Sequence, residues 1–323
     1  MLYGMTNPHG GDIYGGDVRL DFSANTNPFG TPPGVMDAVS RALPDMHRYP
    51  DPYCRRLVEK IAAFEGVNRD DILCGNGAAE LIYAYCGAVR PKTALEPAPT
   101  FSEYALGLAQ VGCRVKPYYL TPDRDFALDS HFPDYLTEIL PEAVFLCNPN
   151  NPTGMLTPPA VLKDILDVCR ENRIRLFVDE CFLDLSDDGQ SMKGYLAEYP
   201  NLFILKAFTK SYGMAGIRLG YCLCADRELL KAMSRTVQPW NVSGLAQAAG
   251  LAALDEGDFL AKTKALIQAE RPWLKEKLEA FGFRVFPSQV NYLLFQGSPT
   301  LHQDLKTRGI AIRNCDNYPG LTA

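Results

Sequence analysis

Four short stretches set polar or charged side chains directly after apolar runs. Residues 73–85, LCGNGAAELIYAY, place a Gly-Asn-Gly turn ahead of a helical pattern. The free N–H groups and positive dipole end of such a helix suit a phosphate, with a plain helix cap as the alternative. Residues 145–154, FLCNPNNPTG, end a strand in a turn packed with Asn, Pro and Gly, the usual turn formers. Residues 174–184, IRLFVDECFLD, end a strand in Asp179 and Glu180, where a carboxylate is costly unless it has a partner. Residues 205–220, LKAFTKSYGMAGIRLG, follow a strand with Thr209, Lys210 and Arg218 among small residues. Taken singly, a loop lysine is a solvated charge; the four stretches in this order predict one site.

The elements that must position them are short apolar runs alternating with longer amphipathic ones. Strands are expected over 93–95, 114–120, 143–147, 174–178, 202–205 and 219–224, and helices over 78–89, 102–111, 159–172, 228–238, 245–254 and 259–281. This α/β alternation predicts a mainly parallel sheet flanked by helices, with ligands at the C-terminal strand ends. After about residue 233 the texture changes to three helical stretches followed by FRVF, VNYLLF, a short helix and GIAIR. The expected organisation is a large domain over 34–233 and a smaller α+β domain made of 1–33 and 234–323.

Composition narrows the class. The 323 residues carry 47% hydrophobic and 22% charged side chains and a net charge of −6, with no basic stripe for nucleic acid or an anionic membrane. The N-terminal segment has no basic stretch followed by an apolar run, and no long apolar segment stands anywhere, so the expected location is cytoplasmic. Ten cysteines sit inside apolar segments at no zinc or redox spacing, and the four histidines form no metal-ligand cluster. Small molecules are the expected partners.

Across the whole chain, HGGD, LDFSANTNPFG, RYPDPYCRRL, GNGAAE, PTFSEY, NPNNPTG, DECFLD, AFTK, PWNVSGLA and IRNCDNYPGL resemble the fold type I pyridoxal-phosphate enzymes of the class I/II aminotransferase superfamily. Within it they are most similar to the L-threonine-O-3-phosphate decarboxylases of cobalamin biosynthesis, with histidinol-phosphate aminotransferases next. The resemblance implies a fold type I transferase architecture, pyridoxal 5'-phosphate as cofactor and no metal. Lys210 matches the lysine that links to the cofactor aldehyde, and Asp179 the carboxylate facing the ring nitrogen; both are the implied catalytic residues. Asn151 matches the amide that meets the ring's 3-oxygen and the substrate, and Phe101 the aromatic on the ring face. Gly77, Ala78, Thr209 and Arg218 match the phosphate clamp. Ala207 stands where many relatives have one more hydroxyl. Tyr49 matches a tyrosine that reaches the partner's cofactor phosphate, implying a homodimer with shared active sites.

For the reaction, the resemblance points to decarboxylation of a small phosphorylated amino acid, L-threonine O-3-phosphate. Phe182 occupies the position where aminotransferases of this group commonly carry a tyrosine, and His9, Asn25 and Arg313 match residues for the substrate phosphate. A histidinol-phosphate or related aminotransferase is the alternative, and a silent cofactor-binding paralogue the second. In the family a strand with an arginine for the substrate's α-carboxylate, then a helix, follow NYPGL; the sequence ends at NYPGLTA, which leaves that partner unassigned.

Overall fold

The computed structural model describes residues 9–321. Its strands are β1 (Leu20–Phe22), β2 (Ile72–Gly75), β3 (Thr93–Ala98), β4 (Arg114–Tyr119), β5 (Ala143–Cys147), β6 (Arg175–Asp179), β7 (Leu202–Ala207), β8 (Gly220–Cys224), β9 (Arg284–Val285), β10 (Phe295–Gln296) and β11 (Ile310–Ile312). Seven of them form one sheet in the order β2-β8-β7-β6-β5-β3-β4. The β4-β3-β5-β6-β7 pairings are parallel, and β8 runs antiparallel to both β7 and β2.

The central strands read as continuous apolar runs because helices cover both faces. In β5, β6 and β7 alternate residues divide cleanly. Leu146, Val178 and Ile204 pack with Leu57, Ile61, Phe132 and Ile165 on one face. Phe145, Phe177 and Phe203 pack with Leu81, Tyr85 and Tyr104 on the other. In-register pairing stacks those three phenyl rings across the strands at 4.7 and 4.9 Å. This ladder sets the register, since a one-residue slip would turn it into the opposite core.

The expected strands and helices are all present, most with ends within two residues: the helix expected over 78–89 is Gly77–Val89 and that over 259–281 is Phe259–Ala280. Four helices were not expected: Pro33–Ala42, Arg55–Glu65, His131–Ile139 and the single turn Phe208–Ser211. None of them begins with a side-chain cap hydrogen bond. The run VNYLLF departs from expectation, with only Phe295–Gln296 pairing, against β9. Upstream of that pair, side chains take the hydrogen bonds: Asn291 Nδ2 donates to the Thr26 carbonyl at 3.1 Å and Tyr292 Oη to the Asn150 carbonyl at 2.9 Å. GIAIR supplies β11, which pairs parallel with β1 and ties the two ends of the described chain together.

Candidate active site

Strand parity decides which carboxylate faces which side. Asp179 lies two residues after Phe177 and shares its face; Glu180 falls on the face of Val178. Asp179 is 5% exposed, and its two oxygens accept from the Tyr104 hydroxyl at 2.7 Å and the Cys181 N–H at 2.8 Å. Burial pushes its carboxyl above the ordinary aspartate value, opposed by those donors and by the charge of Lys210.

Lys210 sits in the single helical turn Phe208–Ser211 after β7. Its Nζ lies 5.3 Å from the centroid of the Phe182 ring. Burial lowers its pKa, reinforced by the Arg218 charge and opposed by Cys181 and Asp179. The larger neutral fraction is the form of an amine that can attack an aldehyde. The turn is anchored from behind, because Asn27 Nδ2 donates both to the Ser211 carbonyl at 2.8 Å and to Thr263 Oγ1 at 2.9 Å. One asparagine thus joins the N-terminal segment, the Lys210 turn and the long helix Phe259–Ala280.

The helix Gly77–Val89 opens beside Arg218. Gly77 has φ +79°, and a Cβ there would lie 2.4 Å from Arg218 Nη2; a Cβ on Gly220 would lie 2.7 Å from the Ala78 nitrogen. Only glycine permits that approach of a guanidinium and a strand to the unpaired N–H groups of a helix start. Glu80 holds the turn, accepting from the Asn76 N–H at 2.7 Å and from Asn241 Nδ2 at 2.5 Å. A cationic side chain over a helix N-terminus is the donor set a phosphate requires.

In the 148–154 turn the neighbouring asparagines are structural. Asn148 Oδ1 accepts from the Thr157 N–H at 2.8 Å. Asn150 bridges Thr100 Oγ1, the Pro99 carbonyl and Thr153 Oγ1 at 2.8 to 3.0 Å. Asn151, half-buried, is carried on the turn they brace. Phe101 packs edge-on to Tyr104, with ring centroids 5.6 Å apart, and 5.9 Å from His9.

His9 Nε2 pairs with Glu103 Oε1 at 2.7 Å, while the Tyr83 hydroxyl donates to Glu103 Oε2 at 2.7 Å. Arg313 donates to the Asn314 carbonyl and to Asn317 Oδ1 and lies 5.0 Å over the Tyr318 ring. Asn25 is half-buried in the segment whose Ser23 Oγ accepts the Gly11 N–H at 2.8 Å, so the HGGD and SANTNP motifs lie together. Tyr49 is 79% exposed and stacks on Trp240 at 4.5 Å.

Sequence reasoning missed a buried ionic cluster under the sheet's other face. Lys206 Nζ lies 2.8 Å from Glu65 Oε1 and 3.7 Å from Asp184 Oδ1. Lys193 Nζ and the Tyr221 hydroxyl also reach Glu65, and Ser211 Oγ donates to Asp184 at 2.9 Å. Glu180, the residue after β6, accepts from the Met192 N–H at 2.8 Å, and its carboxyl is pushed up to about 7 by burial against the charge of Lys206. The lysine inside the apolar run LFILKAF was the available signal, since an unpaired charge would not be tolerated there. Among the described residues no cluster of metal-ligating side chains occurs, and no helix is long and apolar enough to cross a membrane. Cys113 and Cys315 are half-buried, and the other eight cysteines, all of them free, are buried.

A glycine-cradled helix start under a guanidinium, a buried aspartate at a parallel strand end and a lysine with a depressed pKa define a site for a phosphorylated aldehyde cofactor. Residues 18–321 match the aminotransferase class I and II family, and the chain belongs to it. Its cofactor is pyridoxal 5'-phosphate, which this donor set fits. The chain is 35% identical to the threonine-phosphate decarboxylase of Salmonella typhimurium, over 94% of this chain and 85% of that protein. It is 36% identical to a histidinol-phosphate aminotransferase of Desulfitobacterium hafniense, over 94% and 84%. The solved histidinol-phosphate aminotransferase of Clostridium acetobutylicum superposes with a TM-score of 0.86 at 30% identity, over 94% of this chain and 91% of that one.

Proposed function

We propose that the protein decarboxylates L-threonine O-3-phosphate to (R)-1-amino-2-propanol O-2-phosphate, the reaction that serves the corrinoid side chain. The observation that carries this reading is Phe182. Where aminotransferases of the group commonly carry a tyrosine donor for the cofactor's 3-oxygen, this chain has a phenyl ring beside Lys210 Nζ and edge-on to Tyr292 at 5.0 Å. The identity to the Salmonella decarboxylase supports the same reading.

In this reading Gly77 and Ala78 N–H groups, the Thr209 hydroxyl and Arg218 hold the cofactor phosphate, and Asn151 donates to the 3-oxygen. Phe101 covers the ring face and Asp179 meets the ring nitrogen. Bound pyridoxal phosphate supplies the sink for the electron pair left when a bond at the substrate's α-carbon breaks. Lys210 Nζ then delivers a proton to that carbon after carbon dioxide departs. His9, Asn25 and Arg313 take the substrate phosphate. Residues 34–233 form the cofactor domain, 1–33 and 234–323 the smaller one, and the exposed Tyr49 serves the partner's site in a homodimer.

A histidinol-phosphate aminotransferase is the second reading, favoured by the 36% identity to the Desulfitobacterium protein. Incubation of the cofactor-loaded protein with threonine phosphate separates the two. Release of carbon dioxide and aminopropanol phosphate is the expected result. Amino-group exchange with glutamate and no carbon dioxide would establish the aminotransferase, and neither activity would leave a silent paralogue.

A further inference from the structure

Asp179 is reached by one side chain from outside its own strand end. Tyr104, on the helix Glu103–Gln110 that follows β3, is fully buried, and its hydroxyl donates to Asp179 Oδ2 at 2.7 Å. The Phe101, Phe145 and Phe177 rings surround it, with centroids 5.6 to 5.9 Å away, and leave the phenol one direction to point. Asp179 Oδ1 is held separately by the Cys181 N–H. One donor on each oxygen fixes the plane of the carboxylate, and with it the direction of its remaining lone pairs.

We infer that Tyr104 is a positioning residue that keeps Asp179 an oriented, ionised acceptor and so leaves a proton on the cofactor's ring nitrogen. The inference rests on the reading of Asp179 as the partner of that nitrogen. Carboxylate and ring nitrogen compete for one proton. A hydrogen bond donated to the carboxylate stabilises its charged form and lowers its proton affinity, so the proton stays on nitrogen. Burial pulls the other way, raising Asp179, and the Cys181 thiol, the Tyr104 phenol and the Cys181 N–H oppose it together. The other titratable groups near Asp179 are Lys210, Cys181, Cys147 and Tyr292. Burial holds both thiols and the Tyr292 phenol in their protonated, uncharged form, so only Lys210 can oppose burial with a charge.

The test uses the enzyme loaded with cofactor carrying nitrogen-15 in its ring, in three forms: wild type, Tyr104→Phe and Asp179→Ala. The wild-type nitrogen should give a pyridinium shift. Tyr104→Phe should move it toward neutral pyridine and weaken cofactor binding about tenfold, as expected for loss of a hydrogen bond to a charged group. An unchanged ring-nitrogen shift in Tyr104→Phe, alongside a moved one in Asp179→Ala, would overturn the role of Tyr104 alone. An unchanged shift in Asp179→Ala would overturn the reading of Asp179 beneath it. A structural role for Tyr104 would lower the unfolding temperature and leave the shift in place. Should Tyr104→Phe not fold, 3-fluorotyrosine at position 104 keeps the packing and makes a stronger donor. The acidic fall-off in cofactor affinity should then move to lower pH, and no movement would refute the inference.

Discussion

Lys210 and Phe182 meet as amine over aromatic face, with Nζ 5.3 Å from the ring centroid. The ring supplies an apolar wall and no hydrogen bond, so nothing at position 182 would compete with the proton transfer proposed for Lys210. Phe182→Tyr would add a donor inside the site. The expected outcome is a roughly tenfold loss of decarboxylation with a gain in amino-group exchange, the size set by the net worth of one ordinary hydrogen bond. Product analysis on threonine phosphate checks it, and an unchanged product ratio would show that position 182 does not select the reaction.

Arg313 lies on the segment after β11, its guanidinium over Tyr318 and near Asn317. If it grips the substrate phosphate, threonine phosphate should bind far better than threonine. Arg313→Ala should erase about 1.5 to 3 kcal/mol of that preference, the range for a charge-assisted bond. Paired inhibition constants for the two ligands measure it, and equal losses for both would place Arg313 elsewhere in recognition.

Lys206 and Glu65 form a pair whose side chains are 5% and 1% exposed. Lys206→Met would strand Glu65 with Lys193 and Tyr221 only. Removal of one partner from a buried pair costs on the order of 3 kcal/mol, so denaturant midpoints should fall sharply in the variant. The double variant Lys206→Met, Glu65→Leu should recover part of the loss, because the most deeply buried carboxylate of the cluster is then no longer left without Lys206.

Glu96 lies inside β3 with Oε2 lacking a partner, and burial raises its carboxyl from 4.5 to about 8. The folded state therefore holds a proton that the unfolded chain releases above 4.5. That contribution to stability is complete below pH 4.5 and drains away as pH rises through about 8, with a limiting slope of roughly 1.4 kcal/mol for each step of one in pH. Glu96→Gln should flatten the decline in unfolding free energy across this window. A wild-type slope retained in the variant would assign the decline to other groups.

Much of the frame was legible because it rests on periodicity. Runs such as AVFLC and LFILKA can only be strands buried on both faces, and their spacing by amphipathic stretches implied parallel pairing. Lys210, Asp179, Gly77 and Arg218 were legible as a set through resemblance. Tyr104 was not, since its role depends on a contact spanning 75 positions, and a tyrosine in PTFSEY reads equally well as core. Glu65 and Lys206 stayed hidden for a related reason: a glutamate at the end of an amphipathic helix shows no sign of burial until the lysine 141 residues later closes on it. His9 carried a phosphate expectation, yet its pairing with Glu103 could be read only from the folded chain.

The adjacent carboxylates at the end of β6, Asp179 and Glu180, constrain how this strand can evolve. Asp179 answers to the aromatic face and Glu180 to the ionic cluster, and successive residues of a strand cannot exchange sides without shifting the whole strand. Insertion or deletion of a single residue between Phe177 and Asp179 would turn Asp179 toward Lys206 and its carboxylates, and Glu180 toward the face of Phe177 and Tyr104. Drift along this segment is therefore confined to substitution in place, with length held constant by two unrelated electrostatic demands on its opposite faces.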